Sequence, residues 1–344
     1  MYIYIMQKVS KLNFKIIDKN DELGNSKLEF NLSGTNMNYI VANTIRRIIF
    51  NDIPIYVFDE FKFDKNTSVF HNNYLKLRLR NMPVWSIDND IDYLDIDINK
   101  VKKQVEVEDT QNENTEVGDE VEFEVEKTLN SSTLKQLTMY VNFKNKLNDI
   151  ATVTTNDAKF YYDEKQIPSP YKTGIPIVKL QPNQEIAFSA ITKIGMEQED
   201  AMYSAVCVNY YKQNSENDFT FVIESRGQIS EKRILQVALI NIERRIRSFL
   251  KLINDDIKIE ETKEQGIIIV NNEDHTLGNL IARGLQIHDK ISFAGYNLPH
   301  PLAKKVHFHY KLKSGNGNIV KILEDVIEYY SELFKQIQIQ FDSI

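Results

Sequence analysis

Asn43 with Arg47 and Asn279 with Arg283 are pairs of one kind at one spacing, set near opposite ends of a chain of 344 residues. In each case a small residue, Ala42 or Gly278, comes just before the Asn. At i and i+4 on a helix, an amide and a guanidinium share one flank. The chemistry they offer is recognition, by hydrogen bonds and charge pairing with another surface, rather than bond making. Arg46 points away from the apolar side of the same segment and is placed to meet a partner's carboxylate in a bidentate pair. Asp274 and His275 stand where a helix cap is expected ahead of the second pair.

Arrangements that make or break bonds are missing. There is no GxGxxG after a strand, no GxxxxGK[ST], no HExxH, no GxSxG and no paired CxxC. The lack of a Gly-rich loop argues against nucleoside triphosphate binding by this chain alone. Asp88, Asp90 and Asp92 open like a calcium loop, but the sixth position is Tyr93 rather than Gly and the twelfth is Asn99 rather than Glu. His307 and His309 share one face of an expected strand with no third ligand in view. His275 and His300 fit structural roles. The single cysteine, Cys207, excludes an internal disulfide and any Cys-based zinc site within the chain. No catalytic, cofactor-binding or metal-ligating residue is therefore expected, and no cofactor.

Composition narrows the class further. Hydrophobic residues make up 42% and charged residues 26%, ordinary globular usage for two or three domains. A net charge of −7 opposes a role in coating nucleic acid, because that binding rests on Lys and Arg neutralising phosphates. Contact with nucleic acid is expected only through partners. The opening MYIYIMQKVSKL has no charged leader and no cleavage pattern, and no run approaches the roughly 20 apolar residues of a membrane span. The reading is a soluble intracellular protein with no membrane contact.

The elements that must position the two pairs follow from periodicity. Phe14 and Ile16, then Leu28, Phe30 and Leu32, alternate with polar residues around a turn, a hairpin signal. Met37, Ile40, Val41, Thr44, Ile45, Ile48 and Ile49 fall on one helical face, and Pro54 stops it. Ile55–Phe58 reads as a strand, and Tyr74–Arg80 is an amphipathic stretch that ends before Pro83. From Asp88 the composition changes. Residues 106–126 hold ten Asp or Glu and no Lys or Arg, and short β-like runs follow at Leu137–Phe143, Ile175–Leu180 and Ile186–Ile191. After Ser230, a plausible N-cap, Leu235, Ala238, Leu239, Ile242, Ile246, Phe249, Leu250 and Ile253 form a stripe over about six turns. A charged connector, Asn254–Gln265, leads to a strand at Ile267–Val270, the second repeat, a strand at Val306–Tyr310 and a last helix striped by Ile319, Ile322, Leu323, Val326, Ile327, Tyr330, Phe334 and Ile337.

Strand, helix, strand, long closing helix thus occurs twice, with the first copy interrupted. The expected fold class is α+β: two related dimerisation modules forming an intramolecular pseudo-dimer, the first broken by a β-rich insert. The expected bounds are 1–87 and 195–256 for the first module, 88–194 for the insert with its acidic loop at 106–126, and 257–344 for the second module. The connector can span at most ~40 Å, and within that reach tethering gives an effective concentration near the mM range.

Glu273–Asn279 (EDHTLGN), Phe293–Tyr296 (FAGY) and Pro299–Leu302 (PHPL) closely resemble the small α-like subunit of archaeal and eukaryotic RNA polymerases, over about residues 257–344. Ala42–Arg47 (ANTIRR), Asn66–Val69, Arg78–Pro83, Ile177–Leu180 with Gln184–Ile186, and Phe221–Ser225 resemble its larger α-like partner, collinearly over about residues 10–253. The whole is similar to a fusion of the two, as in large DNA viruses that encode their own polymerase. The resemblance implies a non-catalytic assembly platform of a viral DNA-directed RNA polymerase, with the active site in other subunits. The implied partners are the largest and second-largest polymerase subunits and other polymerase subunits, with one copy of this chain per polymerase. The implied location is the virion and the host cell, a cytoplasmic viral factory ahead of the nucleus.

Carried onto this sequence, Asn43, Arg46 and Arg47 match the stretch that docks the second-largest subunit and supports the dimer. Asp274, His275 and Asn279, with Arg283, match the corresponding turn and helix of the small partner. Two features depart from the family. The insert's cysteine cluster is missing, so neither zinc nor an iron–sulfur cluster is expected there, and the bacterial C-terminal DNA-binding domain has no counterpart, so promoter contact is not expected. The alternative reading is a stand-alone α-like transcription regulatory protein outside the core enzyme. An enzyme acting on a small metabolite is disfavoured by the missing motifs.

Overall fold

The computed structural model describes residues 12–20, 26–85, 136–162, 165–255, 258–261, 264–271, 273–300, 305–313 and 318–343. The acidic run 106–126, the Asp88–Asp92 stretch and the first eleven residues lie outside the described residues, as do the side chains of Leu250 and Ile253. In chain order the elements are β1 (Asn13–Asn20), β2 (Lys27–Ser33), α1 (Tyr39–Asn51), β3 (Ile55–Asn66), α2 (Asn72–Arg80), β4 (Leu137–Lys144), β5 (Ala151–Thr154), β6 (Ala158–Tyr162), β7 (Lys165–Ile167), β8 (Pro176–Leu180) and β9 (Glu185–Gly195). Then come β10 (Val206–Ser215), β11 (Asp218–Ser225), α3 (Glu231–Asp255), β12 (Lys258–Glu261), β13 (Gln265–Asn271), α4 (His275–Ile287), β14 (Ile291–Asn297), β15 (Lys305–Leu312) and α5 (Ile319–Asp342). The class is mixed helix and sheet, in two compact units.

The first unit comprises Met1–Ile53, Val206–Ser225 and Ser230–Ile344. It holds two antiparallel four-stranded sheets, β1-β2-β11-β10 and β12-β13-β15-β14. Each set is made by two strands, a helix, two strands and a long helix, and each sheet runs first, second, fourth, third. The single-strand order expected from sequence is corrected in both copies. In the second copy β14 joins the expected strand, which the structure extends to Lys305–Leu312. In the first, Ile55–Phe58 belongs elsewhere.

Local chemistry sets the helix ends. The Asn38 side chain accepts from the amides of Ile40 at 2.9 Å and Val41 at 3.1 Å, satisfying donors that α1 leaves unpaired. Asp274 does the same for α4 with Thr276 at 2.8 Å and Leu277 at 3.3 Å. Asn318 caps α5, and the Ser230 Oγ accepts from the Arg233 amide at 3.4 Å ahead of α3.

The small residue of each repeat has a packing cause. Ala42 is fully buried, and a Cβ at Gly278 would lie 2.8 Å from the Tyr296 ring and 3.2 Å from Val306. Helices α1 and α4 lie on β10 and β14, the third strand of each set. The two sets also exchange contacts. Helix α3 packs on α5 and α1 on α4. Phe249 of α3 meets Phe308 of the second sheet at 6.0 Å, and Phe341 of α5 meets Phe14 of the first at 5.4 Å, beside a stack of Phe14, Phe30 and Phe221.

The second unit comprises Pro54–Ala205 with Arg226–Ile229. A five-stranded sheet, β3-β9-β4-β6-β7, and a β5-β8 ribbon enclose a core that includes Phe58, Met139, Phe160, Leu180 and Phe188. Strand β3 pairs with β9 from Ile55↔Gly195 to Asn66↔Ile186, which places it here rather than beside α1. Residues Ile55–Phe58 are buried in succession, so they carry none of the alternation that would mark a strand with one wet face. Helix α2 turns Leu75 and Leu79 into the same core.

Candidate functional site

The repeated polar residues gather where α1 and α3 of the first set meet the start of α4 in the second. Arg245 is central. It stands three residues after Ile242 and four before Phe249, on the edge of the buried stripe, and its side chain is 11% exposed. Its Nη1 donates to Asp52 at 2.9 Å, and its Nη2 donates to Glu273 at 2.7 Å and Asp274 at 3.1 Å. Asp52 and Glu273 are 3% and 8% exposed, Asp274 39%. Asp52 ends α1, and its carbonyl accepts from the Asn241 amide group at 2.7 Å.

Burial by itself lowers the pKa of the Arg245 guanidinium, but the charges of Glu273, Asp52 and Asp274 outweigh it and hold that pKa above its ordinary value. Burial likewise raises the Asp274 carboxyl. Arg245 and the amides of Thr276 and Leu277 outweigh that and leave it below its usual 3.8. The Arg47 Nε donates to Thr276 Oγ1 at 2.8 Å, and the Thr276 hydroxyl also bonds Asp274. A continuous polar path therefore runs from α1 through the cap of α4 to α3.

The expected site residues divide. Arg47 and Asp274 join this path. Arg46 turns back on its own helix, its Nε and Nη2 donating to the Asn43 oxygen at 3.1 and 2.9 Å, with its guanidinium 5.9 Å from the Phe50 ring centroid. Asn43 is thus paired at i+3 with Arg46. His275 is exposed, its Nδ1 3.3 Å from the Tyr296 hydroxyl. Asn279 is half-buried, and the exposed Arg283 reaches Gln286 at 3.5 Å. The two Asn/Arg pairs therefore do different work despite their common spacing.

Arg245 and Asp52 escaped the sequence reading, and Glu273 entered it only as the first residue of the EDHTLGN motif, with no role of its own. The available signals were a cation bordering an apolar stripe and an acid just before a cap. Among the described residues no group of three or more His, Cys, Asp or Glu is placed to hold a metal ion. His309 is instead 2.9 Å from the Asn297 oxygen. No helix among them is long and apolar enough to cross a membrane. The arrangement joins surfaces; it does not assemble reacting groups.

Residues 265–340, which span β13, α4, β14, β15 and most of α5, match the RNA polymerase Rpb3/Rpb11 dimerisation domain. Over 321 residues, 90% of this chain and 89% of the relative, the chain is 26% identical to a putative DNA directed RNA polymerase subunit, R470, of Acanthamoeba polyphaga mimivirus. It is 34% identical over 88 residues to the probable DNA-directed RNA polymerases I and III subunit RPAC2 of Caenorhabditis elegans, 26% of this chain and 60% of the relative. Against the DNA-directed RNA polymerases I and III subunit rpac1 of Dictyostelium discoideum it is 25% identical over 202 residues, 59% of this chain and 53% of the relative. The chain is recognisable as fused α-like subunits of multisubunit DNA-directed RNA polymerases, with a viral relative along nearly its whole length.

Proposed function

We propose that the chain is a non-catalytic assembly platform of a viral DNA-directed RNA polymerase, in which its two α-like halves pair as an intramolecular pseudo-dimer and dock the two large catalytic subunits. The observation that carries this reading is the recurrence of one strand order in both four-stranded sheets, with each closing helix reaching the other set's sheet. Symmetric pairing of equivalent surfaces is the usual solution for such modules. In this reading the larger α-like module expected at 1–87 and 195–256 yields residues 54–87 and 195–205 to the unit of its insert, expected at 88–194, and 257–344 is the small partner.

Asn43, Arg46, Arg47, Asp274, His275, Asn279 and Arg283 are assigned to docking and to the pairing of the halves. Arg47 is engaged with Thr276, so Arg46 is the cleaner probe of docking. One copy per polymerase follows from both modules lying in one chain, and the virion and a cytoplasmic viral factory are the assigned locations. The test is co-expression of the tagged chain with the two large polymerase subunits of the same genome. Recovery of all three at equal stoichiometry, with RNA synthesis, supports the platform. Recovery of the chain alone, with the large subunits soluble, rejects it in favour of a regulatory protein outside the core enzyme.

A further inference from the structure

The two halves are alike in fold but not in charge. Seven buried residues of α3, Ile234, Leu235, Ala238, Leu239, Ile242, Ile246 and Phe249, each have a buried counterpart at the same relative position in α5, from Ile322 to Ile337. In that alignment Arg245 of α3 corresponds to Leu333 of α5, which is fully buried. Aligning α1 and α4 on their capping residues, Asn38 and Asp274, sets Glu273 against Met37, also fully buried. The same alignment sets Asp52 against His288, and both end their helix. Each is held by its own half's closing helix, Asp52 by Arg245 and His288 by Asp325 at 3.5 Å, from non-equivalent positions, since Asp325 aligns with Val237.

The charged contact therefore occurs on one side only. Arg245 of the first half meets Glu273 and Asp274 of the second, while the equivalent positions on the other side hold Leu333 and Met37. Asn36, next to Met37, accordingly reaches α5 through a neutral bond to the Tyr329 hydroxyl at 3.0 Å. We infer that this one-sided ion cluster is a pairing key, making the first half select the second half over another copy of itself. Two first halves together would set each Arg245 opposite Met37 and Asn38, with no carboxylate from the partner. Two second halves would set Glu273 and Asp274 opposite Leu333. The first pairing leaves Arg245 only Asp52 of its own half in place of three carboxylates, and the second leaves the buried Glu273 with no counter-charge, which costs far more than a hydrophobic mismatch. The key acts between whole chains as well, where two copies could otherwise pair like with like.

This inference rests on the proposed pairing of the halves, and its readout is the mass of the chain itself, independent of whether large subunits are recovered. Two full-length variants are made, Arg245→Glu and Glu273→Arg, with different tags. Within each chain the key is mismatched, whereas exchange between the two chains restores opposite charges at both junctions. Co-expression is expected to yield a heterodimer of twice the 40.1 kDa chain mass, at least about tenfold above the dimer formed by either variant alone or by two tagged wild-type chains. Absence of that heterodimer overturns the inference, even where each variant is destabilised. Should either variant fail to fold, the triple variant Arg245→Leu, Glu273→Met and Asp52→Asn removes the buried charges of the cluster. Differently tagged copies of it are expected to associate above the wild-type level; dimerisation no greater than wild type overturns the key.

Discussion

At the scale of the residue, one guanidinium decides more than the repeated pairs do. Removing Arg245 leaves two buried carboxylates without their counter-charge, a change that typically costs about 3–5 kcal/mol. Arg245→Met is expected to lower unfolding stability by that order, measured by urea denaturation. Replacing an exposed charge such as Arg283 should stay within about 0.5 kcal/mol. The same cluster has a pH signature. The Asp274 carboxyl titrates near 3.8 when unfolded and lower when folded, because Arg245 and two amides outweigh its burial. Its stabilising contribution is full above the unfolded value and drains away as the pH falls through the folded one. Stability measured from about pH 5 down to pH 2 should fall more steeply for the wild type than for Asp274→Asn. Equal slopes would show that the ion cluster is not formed in solution.

At the scale of the element, α4 is fitted to its neighbours by its small residues. A Cβ at Gly284 would overlap the Val326 side chain and come 2.9 Å from the Tyr330 ring. Gly284→Ala gains at most ~1 kcal/mol of helix propensity, whereas forcing apart a packed helix crossing costs ~1–3 kcal/mol. The crossing wins, so the variant is expected to be less stable and to melt earlier by calorimetry. A melting temperature above wild type would mean that α4 and α5 sit farther apart. In α1, which packs on α4, Asn38→Ala removes both side-chain bonds to the first amides of the helix. A loss of about 1 kcal/mol is expected. Much of this was legible beforehand, since the stripes on α1, α3 and α5 and the caps at Asn38 and Asp274 are local patterns. Strand β14 was not, because Ile291–Asn297 alternates weakly around Gly295 and Ala294.

At the scale of the whole molecule, the first unit is held together across its two sets of elements by apolar contact as well as by the ion cluster. Phe249 with Phe308 and Phe14 with Phe341 are such contacts, and α3 lies along α5. A protease site introduced between residues 255 and 258 should therefore leave two fragments that co-elute in gel filtration after cleavage. Separation of the fragments in dilute buffer would reject the pseudo-dimer. The ten acidic residues of 106–126 are not called upon by this pairing.

Taken alone, the sequence determined what depends on neighbours in the chain: helix stripes, caps, the hairpin of β1 and β2, the repeat, and a resemblance carried by short contiguous motifs. It also determined the absence of the familiar catalytic motifs, because those are local as well. The tertiary structure decided what depends on distance through space. It moved β3 from the first half to the second unit, since pairing with β9 is set by a partner more than a hundred residues away. It separated two identically spaced Asn/Arg pairs, because Arg47 finds Thr276 across the junction while Arg283 faces solvent. It also chose the partners of Arg245: the helical period sets that residue, unlike Arg244 or Arg247, at the edge of the α3 stripe, but only folding brings Asp52, Glu273 and Asp274 around its guanidinium.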